Sequence, residues 1–501
     1  MDNDNRFDQT EDFNELMNDV KEATENLDIV IQNMEGKMNS RNENTREGLH
    51  ASSIDDDFGD ILRRKNRNIE DNSEKKTSKK RKLKKWVYLV LVGFVLIVGL
   101  LVFWIFHNKK IAADKEKLIT EIKSHYGEYV KVDKDTAIYT HTEKDEYKKV
   151  GTVYKNAVLK LEEEKTIDEE TKYFHVKDSI VSDYYVPYEV VSKSNKQEID
   201  NRYKNYLPFD KALVANNFTL YLNDEKLISF DGEAEIPIII NDYEGKYYVE
   251  YNGMLVGIKK EEVKELQDYK IGESKKNQSK ITTLAYHRVY DTGDKCTDSY
   301  ICLKRETFDK QMKYLSDNNY FTLNLEELYM YLNGNLRIEK GVVITLDDGY
   351  LYKAADEVLD KYNLNGTMFV ISGDFSDYTP FKNLKAIDIQ SHTHSLHKNY
   401  VCSGGNQGGA ILCASKQKIV DDLKKSNEAL GVKPIGLAYP FYDYNDNAIS
   451  ALKEVGFKMG FVGRAGALGK ATPKVTDLYK IPRMTVWEET IMSYNEWKSY
   501  L

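Results

Sequence analysis

The chain has 501 residues, 41% of them apolar, which allows a sizeable core and about three folded units. Its net charge of -9 gives no support for nucleic-acid binding, which needs a concentrated basic face. The 36 tyrosines suit strands and sugar-stacking surfaces, although such abundance is also a matter of bulk composition. Residues 1–74 are rich in Asn, Asp, Glu and Ser and read as a disordered cytoplasmic tail that names no partner. Residues 75–85 hold a cluster of lysines with Arg81. Residues 86–106 carry no charge and are long enough to cross the hydrocarbon core as one transmembrane helix in a lipid bilayer. The basic cluster before that span keeps the N-terminus inside and everything after His107 outside. The span lies too far from Met1 for an ordinary cleaved signal peptide.

Residues 107–127 read as a stalk. Residues 128–193 then alternate in short strands, among them Thr136–Tyr139, Val150–Tyr154, Tyr173–Lys177 and Tyr184–Pro187. This pattern resembles a bacterial SH3-like module, a small all-β barrel found on cell-wall enzymes. Residues 203–270 echo it through Lys246–Tyr251 and Val256–Ile258, which predicts a second small β module. Residues 271–280 read as a linker. The four cysteines all follow the span, as Cys296 and Cys302 and as Cys402 and Cys413. Close spacing in an exported domain predicts two local disulfides; three pairings are possible, and a cysteine metal site is the alternative.

From residue 281 to 487 strands and helices alternate. The strands are expected at Ile281–Tyr286, Val342–Leu346, Thr367–Ile371, Ala386–Ser391, Ile435–Tyr439 and Lys458–Val462. Helical spacing marks Arg305–Asn318, Leu351–Tyr362, Lys416–Leu430 and Asp446–Val455. Such alternation implies an α/β fold with a parallel sheet, either a barrel or an open doubly wound sheet, with ligands at the carboxyl ends of the strands. Residues 488–501 read as a C-terminal tail.

Two motifs fall at those strand ends. Asp347 and Asp348 follow the apolar run Val342–Leu346, and adjacent half-buried anions need a cation to hold them. Ser391-His392-Thr393-His394-Ser395-Leu396-His397 offers imidazoles that can share a divalent metal with one carboxylate, a common hydrolytic ligand set. A solvated Asp-Asp-Gly turn would explain the first motif alone, but not the two together.

Thr345–Tyr350, the Ser-His-Thr at 391–393 and Ala438-Tyr439-Pro440-Phe441 resemble, in order, the motifs of the polysaccharide deacetylases with a NodB-type domain. Tyr286-His287 resembles the pair that opens many members. The resemblance covers less than half the chain. It implies a distorted (β/α) barrel that removes acetyl groups from N-acetylglucosamine in a cell-surface polymer, with Asp347 as general base and Asp348 as metal ligand. His397, five residues after His392, replaces the usual ligand four after, where Leu396 stands. That spacing is similar to the branch acting on biofilm poly-N-acetylglucosamine and gives the ligand set Asp348, His392 and His397; His394 could replace either imidazole but is expected beside the ligands or on the surface. Thr393 is expected to orient a ligand or substrate, and the amide of Phe441 or Tyr442, on a backbone fixed by Pro440, to donate to the oxyanion. The family's Arg that braces the base is replaced by Ala438, and Arg483 is a candidate for that role by its charge and expected strand position. No histidine follows His397, so the proton for the leaving amine comes from Asp347 or His287, or activity is weak. Zinc is the default metal, with cobalt, nickel or iron able to occupy the same ligands. Peptidoglycan is the expected substrate and exopolysaccharide the next, on the surface of a Gram-positive-type bacterium. A wall-binding scaffold with a degenerate domain is the competing reading.

Overall fold

The computed structural model describes residues 89–90, 92–113, 126, 128–142, 146–161, 167–168, 173–197, 201–270, 280–463 and 470–501. The expected tail at 1–74, the basic segment at 75–85, the first residues of the expected span and nearly all of the 271–280 linker lie outside the described residues, as does most of the stalk. The chain divides into two compact units, Met1–Lys110 and Ile111–Leu501. Helix α1 (Val92–Ala113) is long and apolar enough to cross a membrane. Its 22 residues rise about 33 Å, close to the hydrocarbon thickness of about 30 Å. Its apolar side chains face outward, Phe103 being 69% exposed. The helix continues past the expected end at Phe106, through Asn108, Lys109 and Lys110, whose long stems tolerate an interfacial position.

Strands of the β-rich stretches at 128–193 and 203–270 join in one hydrogen-bonded sheet, with Tyr129–Val132, Val158–Lys160 and Val191–Ser194 forming a separate three-stranded sheet, and both stretches share one core. The long hairpin of Lys211–Leu222 and Glu225–Pro237 turns at Asn223 and Asp224, both left-handed, the residue types that tolerate such a turn. Its second strand pairs Ile228 with Val153 and Phe230 with Gly151, joining the two stretches. Gly151 is required there, because a Cβ would lie 2.0 Å from the Ser229 carbonyl oxygen. Phe174, Val186, Phe218, Phe230, Val249 and Ile258 fill the common core.

This β region docks on the far domain through polar contacts. Arg202 Nε donates to Glu327 Oε1 at 2.9 Å and its Nη1 to Asn365 Oδ1 at 2.8 Å, while Tyr206 donates to Glu327 Oε1 at 2.6 Å. Asn365 immediately precedes a barrel strand, so the dock lies at the amino ends of the strands, away from their carboxyl ends.

The far domain is a near-closed barrel. Its strands are β1 (Ile281–Tyr286), β2 (Gly341–Leu346), β3 (Gly366–Val370), β4 (Ile387–Ser391), β5 (Gly436–Ala438), β6 (Met459–Val462), β7 (Ile481–Pro482) and β8 (Met484–Thr485). Consecutive strands pair in parallel from β1 to β7, and β8 pairs back with β1, so the ring closes around Arg483. Near-continuous apolar runs such as Val342–Ile344 suit strands buried on both faces. Helices α2 (Arg305–Asp317), α3 (Leu325–Asn333), α4 (Lys353–Lys361), α5 (Lys416–Leu430) and α6 (Asp446–Val455) accompany them. α3 was not anticipated; Asn324 and Glu327 form a capping box at its start.

Residues 488–501 are not a loose tail. Helix α7 (Tyr494–Ser499) buries Trp497 completely, and its indole donates to the Tyr286 hydroxyl at 3.1 Å. A large aromatic gains most from burial when its polar edge also finds a partner, which is what fixes this segment.

Candidate active site

The two aspartates leave β2 in different directions. Asp347 is held by its amide, which donates to the Tyr286 carbonyl at 2.9 Å. Asp348 then adopts a left-handed backbone, φ 75°, followed by Gly349 at φ 96°. A left-handed non-glycine residue costs energy and is kept only where its surroundings impose it. The turn sends the carboxylates to different partners.

Asp347 meets Arg483, the residue at the closing seam of the barrel. Nη1 lies 2.7 Å from Oδ1 and Nη2 2.8 Å from Oδ2, and Nη1 also reaches Thr345 Oγ1 at 3.2 Å. Arg483 is wholly buried and Asp347 2% exposed. Burial alone would push the Asp347 carboxyl up, but the Arg483 guanidinium, assisted by His392, overcomes it and holds the group well below the usual carboxylate range. The fork joins Asp347 to Arg483, which lies in the break between β7 and β8.

Asp348 meets the histidines that follow β4. His392 is fixed by its amide on the Val370 carbonyl at 2.8 Å and by Nδ1 donating to the Ala438 carbonyl at 2.8 Å. This leaves Nε2, the nitrogen nearest the carboxylate, as a lone-pair donor. His392 Nε2 lies 3.9 Å and His397 Nε2 3.6 Å from Asp348 Oδ1. The three ligand atoms lie within 4.8 Å of one another, close enough to converge on a single ion. Burial pushes His392 down to about 4 against the pull of Asp347, and lowers His397 as well, so both imidazoles are neutral at pH 7 as ligands must be. Asp348, His392 and His397 therefore fit a divalent metal.

The five-residue spacing has a packing cause. Leu396 is 3% exposed and belongs to a core with Ile411, Leu437 and Tyr439, so the extra residue turns inward and carries His397 into the site. His394 goes elsewhere: its Nδ1 sits 3.0 Å from Ser372 Oγ and its amide donates to Asp422 at 2.7 Å. Thr393, left-handed at φ 73°, is buried, and its hydroxyl has no hydrogen-bond partner among the described residues.

The loop after β5 supplies the remaining wall. Phe441 and Tyr442 are both left-handed, φ 56° and 61°, and the Phe441 ring packs 4.4 Å from the His397 ring. The Tyr442 amide donates to the Tyr439 carbonyl at 2.9 Å, so it is committed to the turn rather than to a reacting oxygen. The Tyr442 hydroxyl pairs with Thr485 Oγ1 at 2.7 Å. Pro440 is buried within this turn, while Tyr439 is a core residue whose hydroxyl donates to the Tyr479 carbonyl at 3.2 Å. His287 stands at the end of β1 with Nε2 4.0 Å from Asp347 Oδ2.

Two neighbours were not singled out from the sequence. Arg288 places Nη2 3.8 Å from Asp348 Oδ2 and its guanidinium 5.1 Å from the Tyr350 ring. Asp443, 2% exposed, accepts amide hydrogens from Asn406, Gln407 and Gly409 and so ties the loop beyond His397 to the Phe441 turn. Its position in the polar run Asp443-Tyr444-Asn445-Asp446 looks like solvated turn, which hides it. The cysteines pair as Cys296–Cys302 and Cys402–Cys413.

Residues 335–460, which include the paired aspartates, both ligand histidines and the Phe441 turn, match the family described as polysaccharide deacetylase. The chain carries a polysaccharide deacetylase domain. Beyond that match, a poly-beta-1,6-N-acetyl-D-glucosamine N-deacetylase of Staphylococcus aureus is 26% identical over 246 residues, covering 43% of this chain and 81% of the relative. The Staphylococcus epidermidis protein of the same name is 28% identical over 258 residues, 45% of this chain and 86% of the relative. Among solved structures, IcaB from Ammonifex degensii aligns at 22% identity and TM-score 0.38, covering 45% of this chain and 97% of that one.

Proposed function

We propose that this protein is a membrane-anchored, metal-dependent deacetylase that removes acetyl groups from N-acetylglucosamine residues of a cell-surface polymer, with the β-1,6-linked polymer as substrate. The observation that carries the reading is the buried Asp347–Arg483 fork directly beside the Asp348, His392 and His397 set. Both relatives are named as deacetylases of the β-1,6-linked polymer, which supports it over peptidoglycan.

Asp348, His392 and His397 would hold a divalent metal, zinc by its preference for such ligands, and that group would supply Lewis acidity toward water and the acetyl carbonyl. Asp347 takes the proton of the attacking water as its oxygen bonds to the acetyl carbon. Arg483 keeps Asp347 ionised and aims it, which is the positioning a general base requires. The Phe441 amide is the donor left to face the developing oxyanion. His287, beside Asp347, gives a proton to the sugar nitrogen as the carbon–nitrogen bond breaks, leaving acetate and a free amine. His287 thereby stands in for a late histidine that the chain lacks. Helix α1 anchors the protein with residues 75–85 inside and the barrel outside, where two disulfides persist.

The test is acetate release by the full chain in detergent, loaded with Zn²⁺, from an acetylated β-1,6 glucosamine pentamer and from peptidoglycan fragments. Release from the pentamer supports the reading, and faster release from peptidoglycan moves the substrate. Release from neither, with no metal retained, leaves a non-catalytic wall-binding protein.

A further inference from the structure

The two disulfides close loops that follow different strands at their carboxyl ends. The first loop continues from His287 and Arg288 beyond β1, and the second from His397 beyond β4, with β2 and β3 between those strands. Large apolar side chains more than one-third exposed are rare in the barrel domain. Among the described residues they are Tyr300 at 61%, Tyr400 at 82%, Val401 at 55% and Val475 at 79%. Three of these four lie on, or immediately beside, the disulfide-closed loops.

Both loops are built to hold these side chains out. The Tyr300 amide donates to Asp298 Oδ1 at 2.9 Å, and Ile301 and Cys302 donate to the Asp298 carbonyl. The Tyr300 ring meets Trp487 edge-on at 6.1 Å, and Trp487 is itself partly exposed. The chain reaches Trp487 two residues beyond Thr485, the partner of Tyr442 in the site. On the other side, the Tyr400 amide donates to the Gln407 carbonyl at 2.9 Å, and the Val401 and Cys402 amides to the Gly408 carbonyl. Asp443 clamps the same loop to the turn that packs Phe441 on His397. Rigid loops spend little conformational entropy on binding, so rings fixed in this way are suited to recognition.

We propose that Tyr300 with Trp487, and Tyr400, are sugar-stacking subsites on either side of the reacting centre, which seat a polymer of pyranose rings across the barrel mouth. Axial C–H groups of a pyranose carry slight positive charge and lie well on the negative face of an aromatic ring, while phenol and indole edges still hydrogen-bond in water. Continuity with the metal-ligand loop selects the occupant: a polymer reacting at Asp347 must pass over the flanks that these rings occupy. The inference rests on the deacetylase reading and extends it from one residue of the substrate to its neighbours.

The experiment compares kcat/KM on an acetylated β-1,6 glucosamine pentamer with that on single N-acetylglucosamine, using full-length, Zn²⁺-loaded protein. Y300L and Y400L should each lower the pentamer-to-monomer ratio roughly 3- to 10-fold, the worth of one exposed aromatic contact. Y300F and Y400F, which keep the ring, should retain the ratio, and V475A, remote from both loops, should match wild type. Thermal unfolding must show each variant folded, and a leucine variant that unfolds is replaced by the corresponding alanine. An active wild type whose ratio is unchanged in Y300L and Y400L overturns the subsites and spares the deacetylase reading. Loss of the ratio in the phenylalanine variants overturns stacking in favour of the hydroxyls. A wild type that releases no acetate from either substrate overturns the deacetylase reading itself.

Discussion

Replacing Arg483 by methionine would leave the Asp347 carboxylate 2% exposed and without its fork. Two charge-assisted bonds, at 2.7 and 2.8 Å, disappear while the cost of burying the anion remains. Removing one partner of such a buried pair costs about 3–5 kcal/mol. The sign with pH is set by the folded-state carboxyl, which lies below its unfolded value. The pair therefore contributes fully above an unfolded pKa of about 3.9, and its contribution is lost as pH falls below that value. At pH 7, R483M should lose about 3–5 kcal/mol in denaturant unfolding of the metal-stripped protein. Acetate release should fall at least ~100-fold, because the base is no longer aimed. R483K keeps the charge without the fork and should fall between wild type and R483M. D347N/R483M removes the stranded charge and should recover about 2 kcal/mol relative to the sum of the single losses. A loss under about 1 kcal/mol in R483M, or strictly additive single losses, would refute the reasoning.

Further outcomes follow from the same geometry. H397A should lower Zn²⁺ affinity at least ~10-fold in a competition titration, whereas H394A, whose ring faces Ser372, should leave it unchanged; equal losses would exchange their roles. In metal-stripped protein, His392 is neutral when folded and takes up a proton on unfolding. Stability should thus fall as pH drops from about 6.5 towards 4, by roughly 3 kcal/mol in all. H392Q should flatten that slope, and an unchanged slope would assign it to other groups. D443A strands three amide donors and frees the Phe441 turn, so it should cost about 1–3 kcal/mol and weaken Zn²⁺ binding, while stability loss with normal Zn²⁺ binding would confine Asp443 to structure.

The barrel's main strands and the ligand set were legible because each left a local mark. Val342–Leu346 is an apolar run ending in two anions, and His392 and His397 flank a leucine that cannot coordinate. Arg483 was a candidate only through the family resemblance, whose bracing arginine is missing at Ala438, together with its charge and its expected strand position. The rest was non-local or too short to register. Strands β7 and β8 have two residues each and surround an arginine, so no periodicity announces them. The pairing of Gly151 with Phe230 joins stretches far apart in sequence, and repeated strand patterns suggest separate modules instead. Trp497 looks like one aromatic in a polar terminus until Tyr286 is placed beneath it. Helix α3 did leave a signal, Asn324 and Glu327 in capping-box spacing, which can be read without a structure.

The central claim is that Asp348, His392 and His397 hold a metal while Asp347 moves the proton. Full-length wild type and D347N, each loaded with Zn²⁺, separate those roles when bound metal and acetate release from the β-1,6 pentamer are measured on the same samples. The account predicts one equivalent of Zn²⁺ on both proteins and acetate release at least ~100-fold slower from D347N. Equal rates, or loss of metal in parallel with loss of activity, would contradict it.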